Sequence, residues 1–251
     1  MIDLNWVNIA LSTTPWWQVI GIIIIGFGAM YFSLAGFSLL MTQKILSSLE
    51  IGSIIDKRPL RRRQIRNEIG YSFISIIIFA IYGDITLLSD RIGWINIDWY
   101  YTSSRFMRDL IVLFFWNEIH FYACHRLLHI PWLFRRVHYR HHRSIVPTPF
   151  STYSFHWFEA VLLSSVMITC MLFYDLSFAM VLFFPAFSLL INNIGHMNYA
   201  IFPNKPTTAL FASCKRHTLH HSRIHGNFGF FLPWIDRFLR TNVEDLSDTK
   251  T

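Results

Sequence analysis

Charge is what this chain has least of. Asp, Glu, Lys and Arg supply 15% of its 251 residues, against 53% hydrophobic and 17% aromatic. That balance excludes an acidic or disordered chain and is too apolar for an ordinary soluble domain, so a membrane protein is expected. Cysteine is nearly as scarce. Cys124, Cys170 and Cys214 form no Cys-x-x-Cys pair, which excludes a disulfide framework and a thiolate-held cluster and leaves them as small core residues. Glycine-rich nucleotide fingerprints, haem motifs and iron–sulfur spacings are all missing, so any electrons used by the chain come from elsewhere. No internal repeat or low-complexity linker is present.

Long apolar runs stand where charge is missing. Residues 16–41, "WWQVIGIIIIGFGAMYFSLAGFSLLM", carry no charge over 26 positions, and as a helix exceed the roughly 30 Å of a bilayer's hydrocarbon. The first fifteen residues contain no Lys or Arg, so this run is expected to be a span and not a cleavable signal peptide. Further candidates are 69–88, which contains Asp84, 110–124, and a hairpin of 157–174 and 176–191 broken at Asp175. The expected fold is all-α: an integral-membrane bundle of four to five membrane-embedded helices with a small helical cap. Seven Lys/Arg lie in 43–68, five in 125–156 and seven after Ile191, with only Arg91, Arg105 and Arg108 elsewhere. The positive-inside rule then puts 125–156 and 192–251 together on the cytoplasmic face. Net charge +7 is read as this bias plus contact with anionic headgroups. With no nucleic-acid-binding module, and with the basic run lying between spans, no nucleic-acid role follows.

All twelve histidines fall between His120 and His225. His125 with His129, His138 with His141 and His142, and His217 with His220 and His221 repeat at intervals of three and four, which sets imidazoles on one helical face within reach of a shared ion. Glu118, Tyr122, His125 and His129 lie within an arc of roughly 60° on one helix, so Glu118 and Tyr122 are expected to support the first pair. His120 points to the opposite face and reads as a packing or interfacial residue. Eight or more imidazoles exceed the needs of one four-coordinate site, so two metals are implied. Imidazole donors without carboxylates suit zinc, iron or copper.

The set "HRLLH", "HYRHH" and "HTLHH" resembles the sterol desaturase / fatty acid hydroxylase superfamily of integral-membrane di-iron oxygenases over roughly residues 110–241. "VPTPFSTYSFHWFEA" (146–160) is similar to a proline-rich stretch of C-5 sterol desaturase-like members, and "HHSRIHGNFG" matches the family's Asn-aromatic-Gly. Two positions depart: Ile235 replaces a usual tryptophan before Asp236, and Arg240 a usual glycine. The resemblance implies nine ligands, His125, His129, His138, His141, His142, His196, His217, His220 and His221, holding two non-haem iron ions with O2 as co-substrate. Glu118, Tyr122, His156, Glu159, Asn227 and Asp236 are candidates behind the ligands or beside the substrate. His225 reads as solvent-facing or supporting.

It also implies a division into an N-terminal transmembrane region with a basic inner loop (1–109), a fatty acid hydroxylase-like catalytic region (110–241) and a polar tail (242–251). The implied activity is hydroxylation or desaturation of a sterol, fatty acyl or sphingoid-type C–H bond, since ferrous ions supply oxidising power that side chains lack. A lipid substrate, the membrane and a separate electron donor, cytochrome b5-type or ferredoxin with its reductase, are the implied partners. "FFWNEIHFY" and "WFEAVLL" offer residues to line a path for the lipid. Two rivals stand against this reading. A histidine-rich membrane metal transporter would carry ligands in mid-span. A zinc-dependent membrane hydrolase would place a glutamate inside the histidine motif, where "HRLLH" has Arg126.

Overall fold

The computed structural model of the protein describes residues 1–244, so most of the expected polar tail lies outside the described residues. Strand β1 (Ile2–Asp3) and helix α1 (Asn5–Thr13) precede Pro15, which opens α2 (Trp16–Leu40). Four consecutive isoleucines, Ile22–Ile25, would lean toward strand in water. In hydrocarbon every N–H and C=O must be paired within the segment, and the helix wins. Through a π-helical turn at Met41–Ile45, α2 continues into α3 (Leu46–Ser48). Strand β2 (Ser53–Ile54) and α4 (Gln64–Arg91) follow, then β3 (Ile97–Asp98), β4 (Tyr100–Tyr101) and α5 (Ser103–Leu128).

A second π-helical turn, Phe134–His138, joins α6 (Pro131–Leu133) to α7 (Tyr139–His142). The chain then forms α8 (Trp157–Ser164), α9 (Val166–Met171), β5 (Leu176–Ser177), α10 (Phe178–Gly195) and β6 (Tyr199–Ala200). It ends in α11 (Ser213–Arg223) and α12 (Trp234–Phe238). The strands are two-residue clasps: β1 with β4 and β2 with β6 antiparallel, β3 with β5 parallel.

Among the described residues, three helices are long and apolar enough to cross a membrane: Trp16–Ser48, Gln64–Arg91 and Phe178–Gly195. The stretch expected as a span at 157–174 is interrupted at Ser165 into α8 and α9, and Trp157–Met171 is a shorter apolar helix than a bilayer requires. Asp175 does mark the turn of that hairpin. It accepts from Asn96 Nδ2 at 3.1 Å, and its carbonyl accepts from Arg105. On α5, Met107, Ile111, Phe115 and Ile119 are exposed at intervals of four, an apolar stripe suited to lipid.

Lipid tails are as apolar as the helices, so burial alone gives little cohesion between spans, and polar contacts matter more. Tyr31 on α2 bonds Ser72 on α4 at 2.8 Å, Ser38 on α2 donates to Asn193 on α10 at 2.5 Å, and Trp116 on α5 donates to Thr169 on α9 at 3.2 Å. Glu68, 1% exposed at the head of α4, accepts from Gln64, Ser144 and Thr148, tying the segment after α7 to the bundle.

Candidate metal centre and adjoining cavity

Local sequence sets the elements that carry the histidines. Helix α5 starts where the Thr102 side chain accepts from Arg105 N–H at 3.2 Å. Pro131 ends it: the residue before a proline is pushed from helical to extended backbone, and Ile130 sits at φ −59, ψ 131. The chain folds back through the π-helical turn, and His138, His141 and His142 come over His125 and His129. Helix α11 brings His217, His220 and His221 and closes at Ile224, whose N–H bonds the His220 carbonyl at 2.7 Å. His196 is the C-terminal cap of α10.

The structure draws the nine sequence-selected histidines into two groups. His125, His129, His138, His142 and His220 form one; His141, His196, His217 and His221 form the other. Within each, one ring nitrogen from every residue lies within 4.8 Å of the rest. The groups adjoin, with ring centroids 4.8 Å apart for His142 and His221 and 5.5 Å for His138 and His141.

Hydrogen bonds fix which nitrogen faces inward. Nδ1 of His125, His196, His220 and His221 meets the carbonyls of Phe228, Asn192, Gly226 and Ser144 at 2.7–2.9 Å. A carbonyl only accepts, so these Nδ1 atoms carry the proton and each Nε2 presents a lone pair. Nε2 atoms of the two groups crowd together: His138 to His142 and His142 to His220 at 3.1 Å, His217 to His196 and to His221 at 3.0 Å, His196 to His141 at 3.4 Å. Nitrogens each about 2.1 Å from a shared ion lie about 3.0–3.4 Å apart at right or tetrahedral angles. The donor set therefore fits a transition metal in each group, and its lack of carboxylates disfavours calcium or magnesium.

Burial removes the competing proton. His138, His141, His142, His217, His220 and His221 have pKa values well below 6.5, chiefly because burial penalises the imidazolium and secondarily because neighbouring imidazoles repel it. His196 falls to about 4 by burial, with the Asn192 carbonyl opposing. Neutral imidazole is the metal-binding form.

Of the remaining candidates, Glu159 touches a histidine of the groups and Asp236 acts through the Phe228 carbonyl, while the others bond elsewhere. Glu159 Oε1 meets His138 Nδ1 at 2.8 Å, while its Oε2 is buried without a partner. Asp236 accepts from Phe228 N–H, Gly229 N–H and Thr241 Oγ1 at 2.7–2.8 Å, and so holds the carbonyl that orients His125. A Cβ at Gly229 would lie 2.7 Å from Asp236 Oδ2, which is why that turn has no side chain. Glu118 accepts from Phe231 and Leu232 N–H, Tyr122 bonds Thr241, and Asn227 spans Arg216 and Val243. Glu118 and Tyr122 thus pin the C-terminal loop to α5, where the sequence placed them beside the first histidine pair. His156 stands apart from both groups: its Nδ1 accepts from Phe158 N–H at 3.2 Å and caps α8. Arg240 adopts φ 55, a left-handed backbone that explains why glycine suits this position.

Two spaces meet the centre. A small cavity of about 10 Å³, room for about one water-sized molecule, touches His125 and His138 of one group and His141, His196 and His217 of the other. It shares Phe121, Phe155, Leu163 and Asn192 with a cavity of about 640 Å³. The larger space is overwhelmingly apolar and runs between α2, α4, α5 and α10 as far as Val7, Leu11 and Thr14 of the N-terminal segment. Pro185 lines it, where α10 lacks one N–H for its own ladder. His120, expected to be a packing residue, also lines this cavity and bonds Ser165 at 3.1 Å.

Several contributors escaped sequence reasoning. Ser144, Asn192, Gly226 and Phe228 act through carbonyls, which leave no side-chain signal. Glu68 had one: a carboxylate at the head of an apolar run.

The fatty acid hydroxylase family model matches residues 110–241, more than half of the chain and all nine histidines. Delta(7)-sterol 5(6)-desaturase ERG3B of Gibberella zeae is 27% identical over 222 residues, covering 82% of this chain and 66% of that protein. Protein CER1-like 1 of Arabidopsis thaliana is 30% identical over 142 residues, and very-long-chain aldehyde decarbonylase GL1-5 of Oryza sativa subsp. indica is 32% identical over 145. Each plant match covers 53% of this chain but only 22% and 23% of the respective relative, so the chain spans under a quarter of their length. No solved structure matches. Histidine groups, supporting carbonyls and family match coincide on one stretch of sequence, and the chain belongs to the fatty acid hydroxylase family, within the sterol desaturase / fatty acid hydroxylase superfamily.

Proposed function

We propose that the protein is a membrane-embedded oxidoreductase that hydroxylates or desaturates a lipid at an unactivated C–H bond, with two iron ions as its cofactor. The observation that carries this reading is the pairing of two adjoining groups of neutral imidazoles with a lipid-sized apolar cavity. His125, His129, His138, His142 and His220 would hold one ion, and His141, His196, His217 and His221 the other. When bound, the ions supply the reduction of dioxygen and the oxidising power that no side chain here has.

The chain's own residues do the rest. The apolar walls bind the lipid and exclude water. Phe121, Phe155 and Leu163, common to both cavities, deliver one carbon to the histidines. The Nδ1–H bonds to backbone carbonyls keep the rings of His125, His196, His220 and His221 aimed as the substrate arrives. A sterol, fatty acyl or sphingoid chain fits this chemistry, in line with the sterol desaturase named among the relatives. Electrons come from a separate donor, cytochrome b5-type or ferredoxin with its reductase. We assign four to five membrane-embedded helices, a cytoplasmic active face and a catalytic region at 110–241 on the basic-residue distribution and the family match. A transporter is disfavoured because the nine histidines lie outside the three candidate spans, and a glutamate-based hydrolase because no histidine motif contains the required glutamate.

The test is metal analysis of the detergent-purified chain, followed by oxygen uptake with a reductant and a membrane lipid extract. About two irons per chain and lipid-dependent uptake are expected. Failure to bind iron, or iron without lipid-dependent uptake, overturns the reading.

A further inference from the structure

One group in the large cavity is out of keeping with its walls. Asn117 on α5 lines the cavity and is 6% exposed, and its Nδ2 is buried without an acceptor. A buried donor left unpaired costs about 1–3 kcal/mol, and nearby polar groups give it no relief. Thr86 and Ser164 also line the cavity, each donating to a carbonyl of its own helix, at 2.8 and 2.9 Å, and neither hydroxyl oxygen is within hydrogen-bond reach of Asn117 Nδ2. His120, one turn from Asn117, is engaged with Ser165. Asn117 is therefore a polar residue with spare hydrogen-bonding capacity in an apolar space, the arrangement by which a pocket orients a mostly apolar ligand.

Its place on the helix gives that capacity a direction. Asn117, Phe121 and His125 follow at intervals of four along α5, so they form one slowly turning row. Phe121 is a wall of both cavities, and His125 belongs to the five-histidine group. At 1.5 Å per residue, Asn117 stands about 12 Å up the helix axis from His125. A side-chain amide turns readily about its last torsion, so its donor can meet an oxygen atom placed in the cavity.

We propose that Asn117 is a substrate-binding residue that hydrogen-bonds an oxygen function of the lipid, a hydroxyl or carbonyl, and thereby sets which carbon reaches the histidine centre. The inference rests on the reading of the cavity as the lipid site. The substrate is accordingly an oxygenated lipid whose oxygen lies well away from the carbon attacked, and a plain hydrocarbon of equal length is a poorer ligand.

The experiment measures binding, which needs neither iron nor turnover, so its failure is distinguishable from failure of the oxygenase reading. The full chain in lipid nanodiscs is titrated with hexadecane, hexadecan-1-ol and methyl palmitate, following tryptophan fluorescence. The unaltered chain is expected to bind one or both oxygenated probes about tenfold more tightly than hexadecane. Asn117→Leu should bind hexadecane at least as tightly as before and lose the preference. Asn117→Ser keeps a donor, should keep part of the preference, and serves if the leucine variant does not fold. Equal binding of all three probes by the unaltered chain overturns the proposal, as does a preference that survives in Asn117→Leu.

Discussion

Glu159→Ala separates the two histidine groups experimentally. The carboxylate is 1% exposed and reaches only one ligand, His138, through Oε1 at 2.8 Å from Nδ1. His138 belongs to the five-histidine group alone. Removing an outer partner of a metal-bound imidazole costs about 10–100-fold in affinity, which is about 1.4–2.7 kcal/mol. That loss should fall on one metal equivalent and spare the other, whose His196 and His221 are held by Asn192 and Ser144 carbonyls untouched by the change. Glu159→Gln keeps an acceptor for Nδ1–H and drops only the charge, so its loss should stay below tenfold. Competition with a chelator, using cobalt as a coloured substitute in the metal-stripped chain, resolves the two equivalents. Equal weakening of both, or of neither, would refute the assignment of Glu159 to one group.

Replacing His220 or His141 with alanine should abolish lipid oxidation and remove one metal equivalent, whereas His120→Ala should retain both by elemental analysis, since it lies outside both groups. Acidification should unfold the metal-free chain. The folded pKa values lie below the usual 6.5, so the unfolded state takes up more protons, and stability present above pH 6.5 is lost as pH falls toward the folded values. His196, at about 4, contributes about 3 kcal/mol of that loss, and a melting temperature flat from pH 7 to 4.5 would contradict it. Arg216→Ala removes donors from the carbonyls of Thr207, Ala209 and Phe231 and should lower stability by about 2–4 kcal/mol, read as a drop in melting temperature. Arg240→Gly should raise stability by about 1 kcal/mol, because φ 55 strains an exposed arginine and suits glycine.

Histidine spacing was the most legible feature of the site. Intervals of four keep His125 with His129, His138 with His142 and His217 with His221 in one group each, because neighbouring helical turns present residues to the same side. The intervals of three, expected to share an ion, instead put His138 and His141, and His217 and His220, into different groups. His196 is a different case: a lone residue has no interval to read, and family resemblance with its place just after the last apolar run selected it. The runs expected at 16–41, 69–88 and 176–191 coincide with α2, α4 and α10, helices long and apolar enough to cross a membrane, whereas 110–124 lies in α5, which is not among these candidates. The expectation overreached at 157–174, where composition alone does not register the break at Ser165. The cavity was invisible for another reason. Its walls come from helices far apart in the chain, and no local pattern tells a side chain facing a void from one facing lipid. His120, read as a packing or interfacial residue, does lie outside both histidine groups, but its place on the cavity wall had no sequence signal.

Helix α11 serves both groups at once, giving His220 to one and His217 and His221 to the other. During synthesis from the N-terminus, His125, His129, His138, His141 and His142 emerge before it, each group still short of its α11 members. Neither group can close until the chain as far as His221 has been made and α11 has docked. On the proposed two-metal reading, loading would be a late, joint event: one docking step completes both sites, and a chain stalled before it would be exposed to capture of the wrong metal.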